Sequence, residues 1–280
     1  MQKREEILRA FFYCLRKNVS TYINFKTLLF SVHKLSYMKN VFLLFLLFIN
    51  TKVFSQTADD IVNKYLAATG GAEKWSKVVS LKYSGTYQMG PGMLAPLNGI
   101  YVSKPFKGSY SDFSWQGMTS KSAIRADSGW SYNPFGGKRE TDPVSPEEIR
   151  SDKLGSDPQG LLFNYKQKGY TVEYLGTDDM DGTDVLKLRL TTPEGDMVYY
   201  YLDAETYYIL KEVQRVKLKD KEQKNYISYS DFKKNDFGLI LPFCVQRIDE
   251  NGNEQGGPVN YSKVEVNGVI DAKLFDKPKF

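Results

Sequence analysis

From Val78 onward the chain alternates polar and apolar residues with a period of two. Val79, Leu81, Tyr83 and Tyr87 fall on one side; Ser80, Lys82, Ser84, Thr86 and Gln88 fall on the other. That is the pattern of a half-buried strand. Comparable runs occur at about 94–104, 106–116, 118–126 and 128–133. They resume at Tyr170–Leu175, and Leu186, Leu188 and Leu190 then alternate with Lys187, Arg189 and Thr191. Met197–Leu202, Ile209–Val216, 225–233, 239–249 and 258–266 complete the series. Asp181-Gly182 and Glu194-Gly195-Asp196 supply hairpin turn chemistry. A helical period shows in few places. Thr57 can cap a helix whose Ile61, Val62, Tyr65 and Leu66 share a face and which Gly70-Gly71 ends. A short turn around Ala72–Lys77 carries Trp75, Pro146-Glu147-Glu148 opens another helix, and Gln159–Gln167 reads as one or two further helical turns. Ten or more antiparallel strands with few short helices predict a mainly β fold: a large curved sheet or open half-barrel. No internal repeat and no shift of composition marks a second domain.

Before this region lies a different signal, MKNVFLLFLLFINTKVFSQ at 38–56. Met38 and Lys39 form a basic start, Val41–Ile49 is unbroken apolar sequence, and Val53 and Ser55 are small enough for a cleavage site. This is the layout of a secretory signal peptide. The apolar run is shorter than the roughly 20 residues of a membrane span. The expected organisation is an upstream extension at 1–37 that is not translated, a signal peptide at 38–55 and a single domain at 56–280. The mature protein is then soluble and periplasmic. The competing reading is a translated basic tail lying on a membrane surface.

Removing the leader changes the chemistry that is possible. Residues 1–55 hold nine Lys and Arg against Glu5 and Glu6, so 56–280 carries 29 bases and 31 acids. The basic footprint of a nucleic-acid partner is missing. The single histidine, His33, and Cys14 both lie in the leader, which leaves Cys244 alone. A Ser-His-Asp or Cys-His pair and a His/Cys zinc cluster are therefore excluded, and Cys244 reads as a buried, inert thiol. Thr177-Asp178-Asp179-Met180-Asp181-Gly182 begins like a calcium loop, but Thr177 and Leu188 stand where its first and last carboxylates belong. Asp249-Glu250-Asn251-Gly252-Asn253 fails similarly at Glu254. Gly136-Gly137-Lys138 lacks the first glycine of a phosphate loop and reads as a turn. No metal, no cofactor and no catalytic residue is expected, and the chain does not read as an enzyme.

Five stretches together resemble a known superfamily. They are Asp59-Asp60-Ile61-Val62 through Gly70-Gly71 with Trp75 and Leu81-Lys82-Tyr83-Ser84-Gly85; Gly129-Trp130-Ser131-Tyr132 with Asn133-Pro134-Phe135-Gly136-Gly137; Tyr199-Tyr200-Tyr201-Leu202-Asp203; Gly238 to Phe243; and Leu274-Phe275-Asp276-Lys277-Pro278. In order and spacing the chain resembles the LolA/LolB-like lipoprotein carriers, in particular outer-membrane lipoprotein-sorting proteins. The resemblance implies an open half-barrel lidded by helices, an apolar concave face for acyl chains, and carriage of lipid or acylated lipoprotein without a cofactor.

Two sets of residues are candidates for that role. Tyr83, Tyr87, Phe113, Trp115, Trp130 and Tyr132 would line the concave face, where each buried methylene of a ligand gains about 0.8 kcal/mol. Met93 and Leu94, in the uncharged stretch Met89–Leu97, would form a loop touching a membrane or an envelope protein partner. The alternative is a structural or protein-interaction module of the envelope whose barrel is filled by its own side chains. A cavity of roughly 300 Å³ or more separates the two readings.

Overall fold

The computed structural model describes residues 9, 13, 56–103, 108–137, 139–217 and 222–279. The signal peptide expected at 38–55 and, Arg9 and Tyr13 apart, the extension expected at 1–37 lie outside the described residues. Thr57 caps helix α1 (Ala58–Ala68). Its Oγ1 accepts from the Asp60 amide at 3.1 Å, and Asp60 accepts in return from the Thr57 amide at 3.1 Å. Two otherwise orphaned donors are thus satisfied. Gly70 and Gly71, both at positive φ, turn the chain into the short helix α2 (Ala72–Ser76). Ser145 and Glu148 repeat the capping box for α3 (Pro146–Gly155).

Among the described residues there are thirteen strands, of which all but the two-residue β6 follow the predicted alternation: β1 (Ser80–Gly90), β2 (Met93–Ser103), β3 (Gly108–Trp115), β4 (Met118–Arg125), β5 (Ser128–Tyr132), β6 (Asp142–Pro143), β7 (Thr171–Met180), β8 (Thr183–Thr191), β9 (Met197–Asp203), β10 (Ile209–Lys217), β11 (Glu222–Lys234), β12 (Ile240–Ile248) and β13 (Val259–Val266). They form one antiparallel sheet in the order β6-β5-β4-β3-β2-β1-β13-β12-β11-β10-β9-β8-β7. Two meanders therefore meet where β13 returns beside β1. The outermost strands, β6 and β7, do not pair with each other, so the sheet is open. Within the sheet interior β12 and β13 are joined narrowly, with only Cys244↔Asn260 and Val245↔Val259 in register. Cys244 is a half-buried free thiol at that joint.

Two local readings change. Gln159–Gln167 is a run of turns, not helix, because Gly160 and Asn164 adopt φ of 70° and 52° and break the helical ladder. The apolar stretch Met89–Leu97 is not a loop. β1 continues to Gly90, β2 starts at Met93, and only Pro91-Gly92 turns the chain. Its Pro and Gly content hid a hairpin in which even Pro96 holds register with Thr86. The acidic stretch at 177–182 is a hairpin, as expected, with Asp181 and Gly182 at φ 54° and 83°.

The main core lies over β7–β10. Leu186, Leu188 and Leu190 of β8 and Val198, Tyr200 and Leu202 of β9 turn inward against Ile61, Val62 and Leu66 of α1 and Leu161, Leu162 and Phe163 of the turn segment. Each such aliphatic side chain contributes about 1.5–3 kcal/mol on burial. A second cluster joins Tyr110, Ala123 and Trp130 to Phe275, on the short 3-10 turn Ala272–Phe275. Between the two halves runs α3, which touches β10 on one side and β3 and β5 on the other. Ser109 donates to Asp152 at 2.6 Å and Asn225 donates to Ser151 at 2.9 Å, so the helix is tied to both.

Candidate functional site

The concave face is divided into two adjoining chambers. The first has a volume of about 260 Å³. Tyr65 of α1, Leu81 and Tyr83 of β1, Tyr200 of β9, Ile227 and Tyr229 of β11 and Leu241 of β12 line it, with Leu154 of α3 and Leu161 closing it. The second, of about 760 Å³, lies over β3–β5 and β10–β12. Gly155, Gln214 and Ile227 line both chambers and so form the boundary between them.

The second chamber is polar for a reason visible in the strand register. Ser111, Ser122 and Ser131 are cross-strand partners and face it together, with Ser111 and Ser122 hydrogen-bonded at 2.9 Å. One residue out of step, Tyr110, Ala123 and Trp130 are also partners, and strand alternation turns them to the opposite face. Burial pushes the Asp152 carboxyl up, and hydrogen bonds from Ser109 and Ser156 offset part of that shift.

The first chamber is apolar except at one pole. Glu212 of β10 stands opposite Tyr200 on β9 and Ile227 on β11. Its Oε1 accepts from Gln214 Nε2 at 2.7 Å and its Oε2 from the Tyr229 hydroxyl at 3.3 Å. Burial pushes this carboxyl above the ordinary glutamate range, and the two hydrogen bonds only partly restrain it. Burial, with the nearby Glu212 charge second, drives the Tyr65, Tyr200 and Tyr229 hydroxyls upward. Tyr83, stacked near Tyr261 with ring centroids 4.7 Å apart, is raised by burial first and by its tyrosine neighbours second. All four tyrosines therefore stay protonated. The described lining includes no Lys or Arg, and its other acid, Asp157, is paired with Lys168 at 2.6 Å.

An apolar chamber holding an ionisable carboxyl costs stability wherever that carboxyl is charged. In the unfolded chain Glu212 titrates near 4.3. A raised native value makes the penalty full above the native pKa and absent below the unfolded one. Glu212→Gln should therefore melt at a higher temperature than the native chain at pH 7, and the gain should vanish below about pH 4. Thermal melts across that range check this; a variant that is less stable at neutral pH would contradict it.

Of the six aromatic residues selected from the sequence, Tyr83 lines the apolar chamber. Tyr87 and Phe113 pair at 6.0 Å, Phe113 stacks on Phe135 at 5.7 Å, and Trp115 ends β3 opposite Met118, so these three lie along the sheet from the chamber. Trp130 and Tyr132 pack with the second core cluster, where Trp130 Nε1 donates to the Phe275 carbonyl at 3.1 Å. Met93 and Leu94 are 42% and 52% exposed at the β1–β2 hairpin tip, near Met89. Sequence reasoning missed Tyr65, Tyr200, Tyr229 and Glu212. Lys211-Glu212-Val213-Gln214-Arg215 puts polar residues on both faces of its strand, so alternation could not say that Glu212 points inward. Its pairing with the inward Tyr200, across the Asp203–Tyr208 turn, carries that information.

No protein-family model matches this chain, and no curated protein is significantly similar to it in sequence. Solved structures of similar fold do exist. One, described as an outer membrane lipoprotein-sorting protein domain from Vibrio parahaemolyticus, is 15% identical, covers 78% of this chain and 95% of its own, and has a TM-score of 0.48. A LolA-superfamily protein from Nitrosomonas europaea is 14% identical over 79% of this chain and 98% of its own, with a TM-score of 0.49. A DUF1329-family protein from Desulfovibrio piger, 14% identical over 78% and 97%, also scores 0.49. Likeness at this level concerns the course of the chain and not its ligand.

Proposed function

We propose that this chain binds an apolar, acyl-type ligand inside its half-barrel and acts as a carrier or sorting protein of the cell envelope. The observation that carries this reading is the pair of adjoining chambers. The apolar one alone, at about 260 Å³, falls just below the ~300 Å³ of a small-molecule site, whereas the polar one exceeds it. An amphiphile fits that division: its tail in the apolar chamber, its remainder across the boundary at Gln214 and Ile227. Lipid or acylated lipoprotein is the matching chemical class, and no catalytic step or cofactor is invoked. Export through the signal peptide at 38–55 would deliver the domain 56–280 to the periplasm. Among the described residues no helix is long and apolar enough to cross a membrane.

Purification without detergent, followed by solvent extraction and mass spectrometry, tests the proposal. A co-purifying acyl lipid at near-stoichiometric amount is expected. A clean protein that also takes up no neutral acyl probe would overturn it. The envelope-module reading has one observation in its favour: α1 and the turn segment fill the interior over β7–β10 with the chain's own side chains.

The hairpin tip belongs to the same proposal. The sequence is uncharged from Tyr83 to Ser103 and again from Phe113 to Ser120. Met89, Met93 and Leu94 at the β1–β2 turn and Met118 beside the β3–β4 turn stand exposed within these stretches. An uncharged rim with flexible methionines suits contact with a lipid surface. The Met93→Glu, Leu94→Glu double variant should keep its melting temperature and lose most liposome binding, measured by co-sedimentation. Unchanged liposome binding would remove the tip from the account.

A further inference from the structure

The proposal that the interior takes an amphiphile leaves its polar group unspecified, and the chamber's own groups restrict it. Tyr65, Tyr83, Tyr200 and Tyr229 line the same chamber as one carboxylate, Glu212, to which the Tyr229 hydroxyl donates. Among the described residues the hydroxyls of Tyr65, Tyr83 and Tyr200 make no hydrogen bond to protein. Gln214 occupies one Glu212 oxygen with a 2.7 Å bond, while Tyr229 holds the other at 3.3 Å, a long contact that leaves it capacity to accept. Among the described residues no Lys or Arg side chain lines this chamber, and Asp157 is already neutralised by Lys168. The pole is thus negative or neutral in every protonation state and never positive.

Resting on the carrier reading, we infer that the apolar chamber is selective for an amphiphile whose polar group is a protonated amine, seated between Glu212 and the tyrosines that line this chamber, with its alkyl chain inside. The chemistry follows from three terms. An ammonium donates to Glu212 in a charge-assisted bond about twice as strong as a neutral one. It lies against tyrosine faces whose quadrupoles attract a cation. It also supplies a charge partner that the described protein residues do not give this buried carboxylate. A carboxylate or phosphate group placed there would face Glu212 with no base to neutralise either. The volume of about 260 Å³ admits roughly nine water-sized groups at ~30 Å³ each, enough for a chain of moderate length.

Octylamine, octanoic acid and octanol share one alkyl chain and differ only at the polar end. Their binding to the domain 56–280 is measured by calorimetry at pH 7, where octylamine is protonated and octanoic acid ionised. Octylamine should bind at least about tenfold more tightly than octanol, and octanoate more weakly than octanol. In Glu212→Gln the octylamine advantage should disappear while octanol binding stays within about twofold. Equal affinity of octylamine and octanol for the native chain, or tighter binding of octanoate, would overturn the inference and leave the carrier reading standing, since octanol still binds. Binding of none of the three would overturn both. The native ranking decides the matter even if the variant does not fold.

Discussion

Trp130→Ala is expected to lower the unfolding free energy by about 3–5 kcal/mol, the range for removing a large buried aromatic side chain. Trp130 is 8% exposed, and its indole closes the second core cluster against Tyr110, Ala123 and Phe275. Its Nε1 bond to the Phe275 carbonyl also pins the 3-10 turn Ala272–Phe275 to the sheet. Loss of the ring removes both its packing and this hydrogen bond. Trp130→Phe, which keeps most of the packing, should cost roughly 1–2 kcal/mol. Chemical denaturation of both variants measures this. A Trp130→Ala midpoint equal to that of the native chain would show that the C-terminal turn does not depend on this contact.

Arg150→Ala should cost about 3 kcal/mol, the low end for orphaning a buried charge. Asp196 is buried to 3% exposure at the β8–β9 turn, and Arg150 of α3 grips it with Nε at 2.7 Å and Nη2 at 2.8 Å. The Lys217 amide, at 3.0 Å, still serves Asp196 after the change, which keeps the cost at that low end. The larger consequence is positional. α3 roofs both chambers through Leu154, Asp152 and Gly155, and Arg150 is its strongest tie to the β7–β10 half. Hydrogen exchange in α3 should rise well beyond the global change in stability. Exchange that merely tracked global stability would mean that the helix is held by its packing instead.

The strand series was legible because period-two alternation is a local property. The runs at 118–126 and 128–133, the hairpin at Asp181-Gly182 and the helix starts at Thr57 and Pro146 all appear where the residues place them. The faces were not legible. Alternation separates Ser131 from Trp130 and Tyr132 without saying which set is concave. Aromatic richness pointed to Trp130 and Tyr132, but the concave row is serine. The outward aromatics are covered by Phe275, about 145 residues later in sequence, and no local pattern carries that information. Glu212 was missed for the same reason. Its inward direction is set by register with Tyr200 and Ile227, and its chemistry by Tyr65 and Tyr83 from distant elements.

A buried carboxyl with raised pKa in an otherwise apolar chamber is a feature that folding alone would remove, since Gln or Leu there would cost less. Its presence is coherent with a chamber built to receive something. The most direct test is the uptake of a neutral fluorescent acyl probe by the native domain and by Ile227→Trp. Ile227 lines both chambers, and a tryptophan there fills space at their boundary without introducing charge. Saturable uptake by the native chain at one site, weakened at least about tenfold in the variant at unchanged melting temperature, is the predicted result. No uptake by the native chain, or equal uptake by both, would contradict the account.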